Sequence, residues 1–441
     1  MMSAFATMPK YERYKDTDFD WIGQVPEGWE VTKLGACLKP VSIKNKPELP
    51  LLSITREQGV IERDLENQDS NHNFIPDDLS GYKMLRKGQF GMNKMKAWQG
   101  SYGVSDYTGI VSPAYFIFDF AKPIEPKFFN WAIRSKLYVS YFGSASDGVR
   151  IGQWDLSKDR MKAIPFILPT TCEQKLITDF LDEKTAQIDE AIAIKEKQIA
   201  LLKERKQIII QKAVTQGLNP DVPMKDSGVD WIGQIPEHWE VKKLKHGVKI
   251  QGGFAFQSTD FKDEGIQLLK IANLYQNRLA LERQPTFLSE NLLKKYRDWV
   301  VKKGDILMSL TGTLGKRDYG FAILLESDEK YFLNQRVARL TAGDLFEARY
   351  LTNLLQSESY LNQIYQLPAG TKQANLSNDN VVNAYVPVPS FREQEEIADF
   401  IEVSSRENSK LITLQIEQIE QLKEYKATLI NSAVTGKIKV A

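Results

Sequence analysis

Two long stretches of the chain place apolar residues at a helical rhythm. Between Glu173 and Ala213 neither glycine nor proline occurs, and Ile177, Leu181, Ile188, Ile192, Ile199, Leu202 and Ile209 fall close to a seven-residue repeat with charged residues between them. That is the pattern of a coiled-coil seam, and Pro169, Thr170 and Thr171 supply a start and a cap. The rhythm returns 220 residues later at Ile397, Ile401, Ile412, Ile419, Leu422 and Leu429, broken at Asn408, while Lys195 and Gln415 hold equivalent seam places. A polar residue in a seam lowers stability and fixes register. At about 1.5 Å per residue such a helix makes a rod of roughly 60 Å, much longer than the usual globular helix. The spacing therefore predicts spacers or partner surfaces, with an ordinary core helix in each half as the plainer alternative.

The rest of the chain has a different texture. Short β-rich runs, Leu51–Thr55, Tyr115–Phe118 and Asp305–Leu310, alternate with turns such as Lys87-Gly88-Gln89 and Lys303-Gly304-Asp305. Helical spacing reappears over 127–141 and 346–366. The expected fold class is α/β (α+β): two mixed, strand-rich domains separated by two long antiparallel coiled-coil helices.

The halves are repeats. Trp21 to Leu34, WIGQVPEGWEVTKL, recurs as Trp231 to Leu244, WIGQIPEHWEVKKL, with eleven of fourteen positions identical. Glu173-Gln174, Ile177 and Asp179-Phe180 recur as Glu393-Gln394, Ile397 and Asp399-Phe400, and Ala213-Val214-Thr215 as Ala433-Val434-Thr435. Between these markers lie divergent blocks, 35–170 and 245–390. The organisation reads as a first domain over 11–170, a helix over 171–217, a linker with the second domain over 218–390, and a second helix over 391–437. Gly217, Pro220 and Pro223 end the first helix.

Composition excludes several classes. Hydrophobic residues are 42% and charged residues 26%, ordinary for a folded soluble chain. No apolar run approaches the length of a spanning helix, and the first ten residues resemble neither a signal nor a transit peptide, so a cytoplasmic location is expected. Two cysteines, Cys37 and Cys172, and three scattered histidines argue against a disulfide scaffold or a zinc site. Gly312 to Arg317 lacks the spacing of a phosphate loop. Asn219-Pro220-Asp221-Val222 is not the Asn-Pro-Pro-aromatic signature of an adenine methyltransferase, Pro76-Asp77-Asp78 lacks a nuclease partner lysine, and no GxGxxG is present. No catalytic residue and no metal ligand is expected.

Lys plus Arg, 58, nearly equals Asp plus Glu, 57, so a polyanion must be held by local basic surfaces. Gly81 to Ser105 carries Lys83, Arg86, Lys87, Lys94 and Lys96 without an acidic residue. They suit phosphate contact, with Gln89, Asn93 and Gln99 available to base edges and Tyr102 interleaved. Arg150 belongs to a second basic set with Arg134, Lys136, Lys158, Arg160 and Lys162. In the second half Lys302 and Lys303 precede a polar turn containing Ser309, Thr311, Thr313, Lys316 and Arg317. Asn334, Gln335, Arg336, Lys372, Gln373 and Asn375 are further candidates for DNA contact. A solvated strand face is the bland alternative for each.

Two dissimilar domains, each opened by a WIG-x-(V/I)P-x-x-W motif and closed by an EQ-x-x-I-x-x-F helix ending in AVT and a glycine (Gly217, Gly436), resemble the DNA specificity subunit of type I restriction-modification systems. The resemblance covers about 11–437. It implies a noncatalytic, pseudo-two-fold tandem repeat in which the divergent blocks are target-recognition domains, each reading half of a split site in double-stranded DNA. The helices, with Leu181, Ile188, Ile192, Ile199, Leu202, Ile401, Ile412, Ile419 and Leu422 in the seam, would set the gap and hold two methyltransferase (M) subunits. Restriction/translocase (R) subunits could join. S-adenosylmethionine, ATP and Mg would belong to the partners, and this chain would hold no cofactor. A specificity subunit for an enzyme that contains its own nuclease differs only in the partner. The rival from another class is an interaction scaffold whose tryptophan-rich modules take peptides or glycans. The tryptophans lie in near-identical motifs, whereas two specificities should diverge, so they read better as packing.

Overall fold

The structure is a computed structural model that describes residues 8–64, 75–147, 154–367 and 372–440. Its long helices are Thr171–Gln216 and Phe391–Val434, each continuous. The chain divides into two compact units, Met1–Lys195 with Ile416–Ala441, and Glu196–Gln415. Both crossings fall inside a long helix. The four consecutive segments expected from the sequence are therefore not the packing units: each unit takes the start of its own helix and the end of the other.

In the first unit Leu38–Val41, Phe116–Phe120, Phe90–Met92 and Tyr102–Val104 form an antiparallel sheet in that order. Its apolar face packs on Phe128 and Phe129 of the helix Pro126–Ile133 and on Tyr138 and Phe142 of the helix Lys136–Ala145. The helical spacing over 127–141 is carried by these two short helices, separated at Ser135, whose extended backbone starts the second. The same core takes Ile177, Leu181 and Ile188 from the first long helix and Leu429, Ala433, Val434 and Ile438 from the last stretch of chain. Each large apolar side chain of this kind contributes about 1.5–3 kcal/mol when removed from water, so this domain depends on residues more than three hundred positions downstream of its strands. The two helix segments run antiparallel here: Lys426 Nζ lies 2.6 Å from Asp189 Oδ2, and Lys195 reaches Gln418.

The second unit repeats the plan. Val248–Gly252, Val337–Ala342, Ile306–Ser309 and Ala322–Leu324 form an antiparallel sheet in the corresponding order. Ile210, Ala213 and Val214 join Ile397, Ala398 and Ile401 in its core. The stretch 346–366 is again two helices, Ala348–Leu355 and Glu358–Tyr365, broken at Ser357. A five-stranded sheet built from Phe261–Lys262, Phe287–Leu288, Ile266–Leu269, Tyr331–Leu333 and Val300–Val301 is added. Among the described residues of the first unit no five-stranded sheet accompanies the four-stranded one.

The repeated motifs do the same mechanical work in both units. Trp29 and Trp239 are each 1% exposed, and their indole N–H groups donate to Glu173 Oε1 at 2.9 Å and Glu393 Oε1 at 3.1 Å, tying each motif to the first turn of a long helix. The neighbouring Gln174 and Gln394 accept from the backbone N–H of Glu125 and Glu347. Gly217 and Gly436 end the helices at φ +72°, and both lie against the motif's ring, Trp239 or Trp29. A Cβ at Gly436 would stand 2.4 Å from Pro26 Cδ, so left-handed backbone and close approach both demand glycine. Trp21 stacks on Tyr141 at 4.3 Å. Trp231, however, is 41% exposed, so packing accounts for three of the four motif tryptophans.

Of the seam positions, Leu181, Ile188, Ile401 and Ile419 are buried, and Asn408 with them. Ile192, Ile199, Leu202, Ile412 and Leu422 are half-buried. At the end of the first helix the seam residue Ile209 is half-buried and Ile210 enters the second unit's core instead.

Candidate nucleic-acid interface

The two KG turns occupy equivalent places, each leading into the third strand of its four-stranded sheet. Gly88 and Gly304 have φ +84° and +89°. In the first, Gln89 Oε1 accepts from Arg86 N–H at 2.8 Å; in the second, Asp305 Oδ2 accepts from Lys302 N–H at 2.9 Å. Amide and carboxylate serve one turn geometry, which explains the mismatch between the two sequences there. Arg86, Lys87, Lys302 and Lys303 are exposed on these turns, Lys303 beside Asp328.

Several expected contacts are used up by the fold and are withdrawn. Gln89 also donates to Asp119 at 2.7 Å. Asn93, 7% exposed, caps the 3-10 turn Lys94–Gln99 and donates to Tyr115 Oη. Tyr102 is wholly buried beside Phe90 and Phe142. Ser309, 1% exposed, accepts from Phe321 N–H. Alternation explains these misses: a polar residue in a short strand can face inward as a turn fastener, and spacing alone does not say which way. Arg150 lies outside the described residues. Lys96 is exposed and Gln99 half-buried.

What remains in the first unit is a lysine cluster. Lys83 is partly buried and donates to Tyr115 O at 2.6 Å. Its ammonium pKa is lowered by burial first and then by the like charges of Lys158, Lys44 and Lys94. Lys158 Nζ stands 4.8 Å over the Phe116 ring, and Lys94 pairs with Asp155 at 3.1 Å. Like charges gathered around a partly buried ammonium form a site that suits an anion, because a phosphate relieves the repulsion on Lys83. Lys44 was missed in the sequence: it sits about forty residues before Lys83, outside the basic segment Gly81 to Ser105.

In the second unit the polar turn folds into a groove of about 650 Å³. Thr311, Thr313, Lys316, Arg317, Lys372 and Gln373 line it together with Tyr275, Gln276 and Gln284, which were not singled out in the sequence. Thr311–Thr313 pairs antiparallel with Gln373–Asn375, bringing together two segments sixty residues apart. Thr313 Oγ1 donates to Asp318 at 2.8 Å. Arg317 is already held: its guanidinium donates to Glu358 at 3.0 Å and to Asn362, and lies over the Tyr365 ring. It is a wall of the groove and is withdrawn as a phosphate contact. Asn375, Gln335 and Arg336 are exposed and Asn334 half-buried, none of them lining the groove. Among the described residues no three His, Cys, Asp or Glu side chains gather where they could hold a metal ion, and no helix is long and apolar enough to cross a membrane.

Comparison with known proteins gives the same direction. Residues 236–421 match the family model for the type I restriction modification DNA specificity domain. The chain is 28% identical over 440 residues, 97% of both proteins, to the type I restriction enzyme MjaVIII specificity subunit of Methanocaldococcus jannaschii. It is 25% identical over 274 residues to the EcoBI specificity subunit of Escherichia coli, covering 60% of this chain and 56% of that one. In fold it is similar to a chain from a structure concerned with complex assembly and conformational transition of the type I restriction-modification system. The TM-score is 0.68 at 15% identity, with 93% and 98% of the two chains covered. The HsdS subunit from Thermoanaerobacter tengcongensis gives a TM-score of 0.53 at 15% identity, with 96% and 100% covered. A motif pair that clamps helix ends and strand-rich domains bearing separate cationic surfaces thus stand in a chain whose residues 236–421 match the type I restriction modification DNA specificity domain, and which is similar along nearly its full length to a type I restriction enzyme specificity subunit.

Proposed function

We propose that this chain is the noncatalytic DNA-reading subunit of a type I restriction-modification complex, each unit reading one half of a bipartite, asymmetric site in double-stranded DNA. The observation that carries this is the contrast within each unit: the motifs that build it are repeated, while the surfaces that bear cations and amides differ, a lysine cluster in one and an amide-lined groove in the other. Two readers on one frame should share scaffold and differ in recognition surface. Lysines supply phosphate contact and its salt dependence, and the exposed Gln373 and Lys372 are available to base edges, whereas Thr311, 4% exposed, is held in the strand pair and is withdrawn as a contact.

In this reading the halves are related by a pseudo-two-fold, the long helices set the gap between half-sites, and they dock two methyltransferase subunits in the cytoplasm. Exposed apolar side chains along them, Leu201, Ile208, Val403 and Leu414, support a partner surface. S-adenosylmethionine, ATP and Mg belong to partner subunits. Sequencing of methylated bases in cells that carry this chain with its methyltransferase tests the reading: one motif of two specific halves around a fixed nonspecific gap is expected, and a continuous motif or none would refute it.

A further inference from the structure

We propose that Gln276 is a specificity-determining residue of the second unit, reading the major-groove edge of an adenine; this rests on the DNA-reading role above. Gln276 and Asn277 are the two central residues of a hairpin whose strands, Leu274–Tyr275 and Arg278–Leu279, pair Tyr275 with Arg278. Both have left-handed backbone, φ 52° and 58°. A two-residue hairpin of this kind favours Asn-Gly, because both positions need positive φ. Asn277 has reasons to be there: asparagine tolerates the conformation, and its Oδ1 accepts from Ala322 N–H at 3.0 Å.

Gln276 has no such reason within the fold. Glutamine does not favour left-handed backbone, the residue is exposed, and its side-chain amide makes no hydrogen bond among the described residues. Glycine would serve the turn better. What glutamine adds is a long neutral amide lining the groove that also holds Lys316, Lys372 and Gln373. Gln284, also left-handed at φ 48°, lines the same groove. An amide offers one donor and one acceptor side by side, the complement of adenine N6 and N7, whereas flanking ammonium groups suit phosphates. Strained backbone kept for a side chain that does nothing inside the fold points to a ligand outside it.

The test is Gln276→Gly, which removes the amide and relaxes the turn, with Gln284→Ala as a second variant. The full chain, assembled with its methyltransferase subunits, selects sites from a randomised double-stranded DNA library. The variant should melt at the same or a higher temperature than the parent. Its selected motif should match the parent's except at one base pair of the half-site that follows the second unit in block exchange, where discrimination falls by about tenfold or more. An unchanged motif, or a change spread over the whole half-site, overturns the assignment of Gln276. If the parent itself selects no motif, the DNA-reading role fails and this inference with it.

Discussion

Leu429 offers a sharp test of how the units are built. It lies near the end of the second long helix, yet it is 0% exposed inside the first unit's core, with Phe128, Phe166 and Leu181. Changing it to alanine removes buried methyl groups and leaves a cavity, which costs about 2–5 kcal/mol when a site relaxes poorly. At about 3 kcal/mol, a unit of this size should lose roughly 6–12 °C in melting temperature, and amides whose exchange requires opening of the whole unit should exchange on the order of a hundred times faster. Hydrogen exchange read segment by segment locates the effect. Acceleration should fall on strands such as Phe90–Met92 and Phe116–Phe120, more than three hundred residues earlier, while Ile306–Ser309 and Val337–Ala342 keep their protection. The converse control is Ile210→Ala, in the first long helix but in the second unit's core. If Leu429→Ala loosened the second unit, or both equally, the exchange of helix ends described above would be wrong.

Much of this architecture was legible in the sequence, because repetition reveals what must be kept. The tandem motifs, the helix starts at Glu173-Gln174 and Glu393-Gln394, and the matched KG turns all have structural counterparts. The exchange of helix ends was not legible: a seam pattern says which face is buried but not which domain buries it, so Ile210 and Leu429 looked like mere rod residues. The recognition surface was least legible. Lys83, Lys94 and the groove-lining Lys316, Lys372 and Gln373 were found from local composition, whereas Lys44 and Gln276 reach their sites through sheet pairing and hairpin geometry. Tyr102, Gln89, Asn93 and Ser309 misled because short polar-apolar strands give no sign of which polar side chains fasten turns.

Three further outcomes are expected. Changing Lys44 and Lys158 to Ala in the assembled complex should flatten the slope of log affinity against log salt by about one to two units, measured by titration at several salt concentrations; an unchanged slope would place the lysine cluster away from DNA. Adding seven helix-forming residues to each long helix, after Lys195 and after Gln415, keeps the seam in phase and adds roughly 10 Å, so sequenced methylation sites should show a gap about three base pairs longer at 3.4 Å each; insertion near Thr215 is unsuitable because Ala213, Val214 and Thr215 are buried in the second unit. For Glu393, partial burial raises the carboxyl pKa, but hydrogen bonds from Ser390, His238 and Trp239 outweigh it and hold the value at about 2, against an ordinary 4.5; its contribution is therefore present above 4.5 and lost as pH falls toward 2, so the stability gap between the parent and Glu393→Gln, measured by denaturant unfolding, should narrow across that window, and a gap that does not change between pH 4.5 and 2 would contradict it.

The central claim is that each unit reads its own half of the target. It is met most directly by replacing residues 35–170 with the corresponding block of a relative of different specificity and sequencing the methylated sites of cells that carry the chimera with its methyltransferase. Change confined to one half of the motif, with the gap and the other half retained, is the predicted result; simultaneous change in both halves, or none in either, would contradict it.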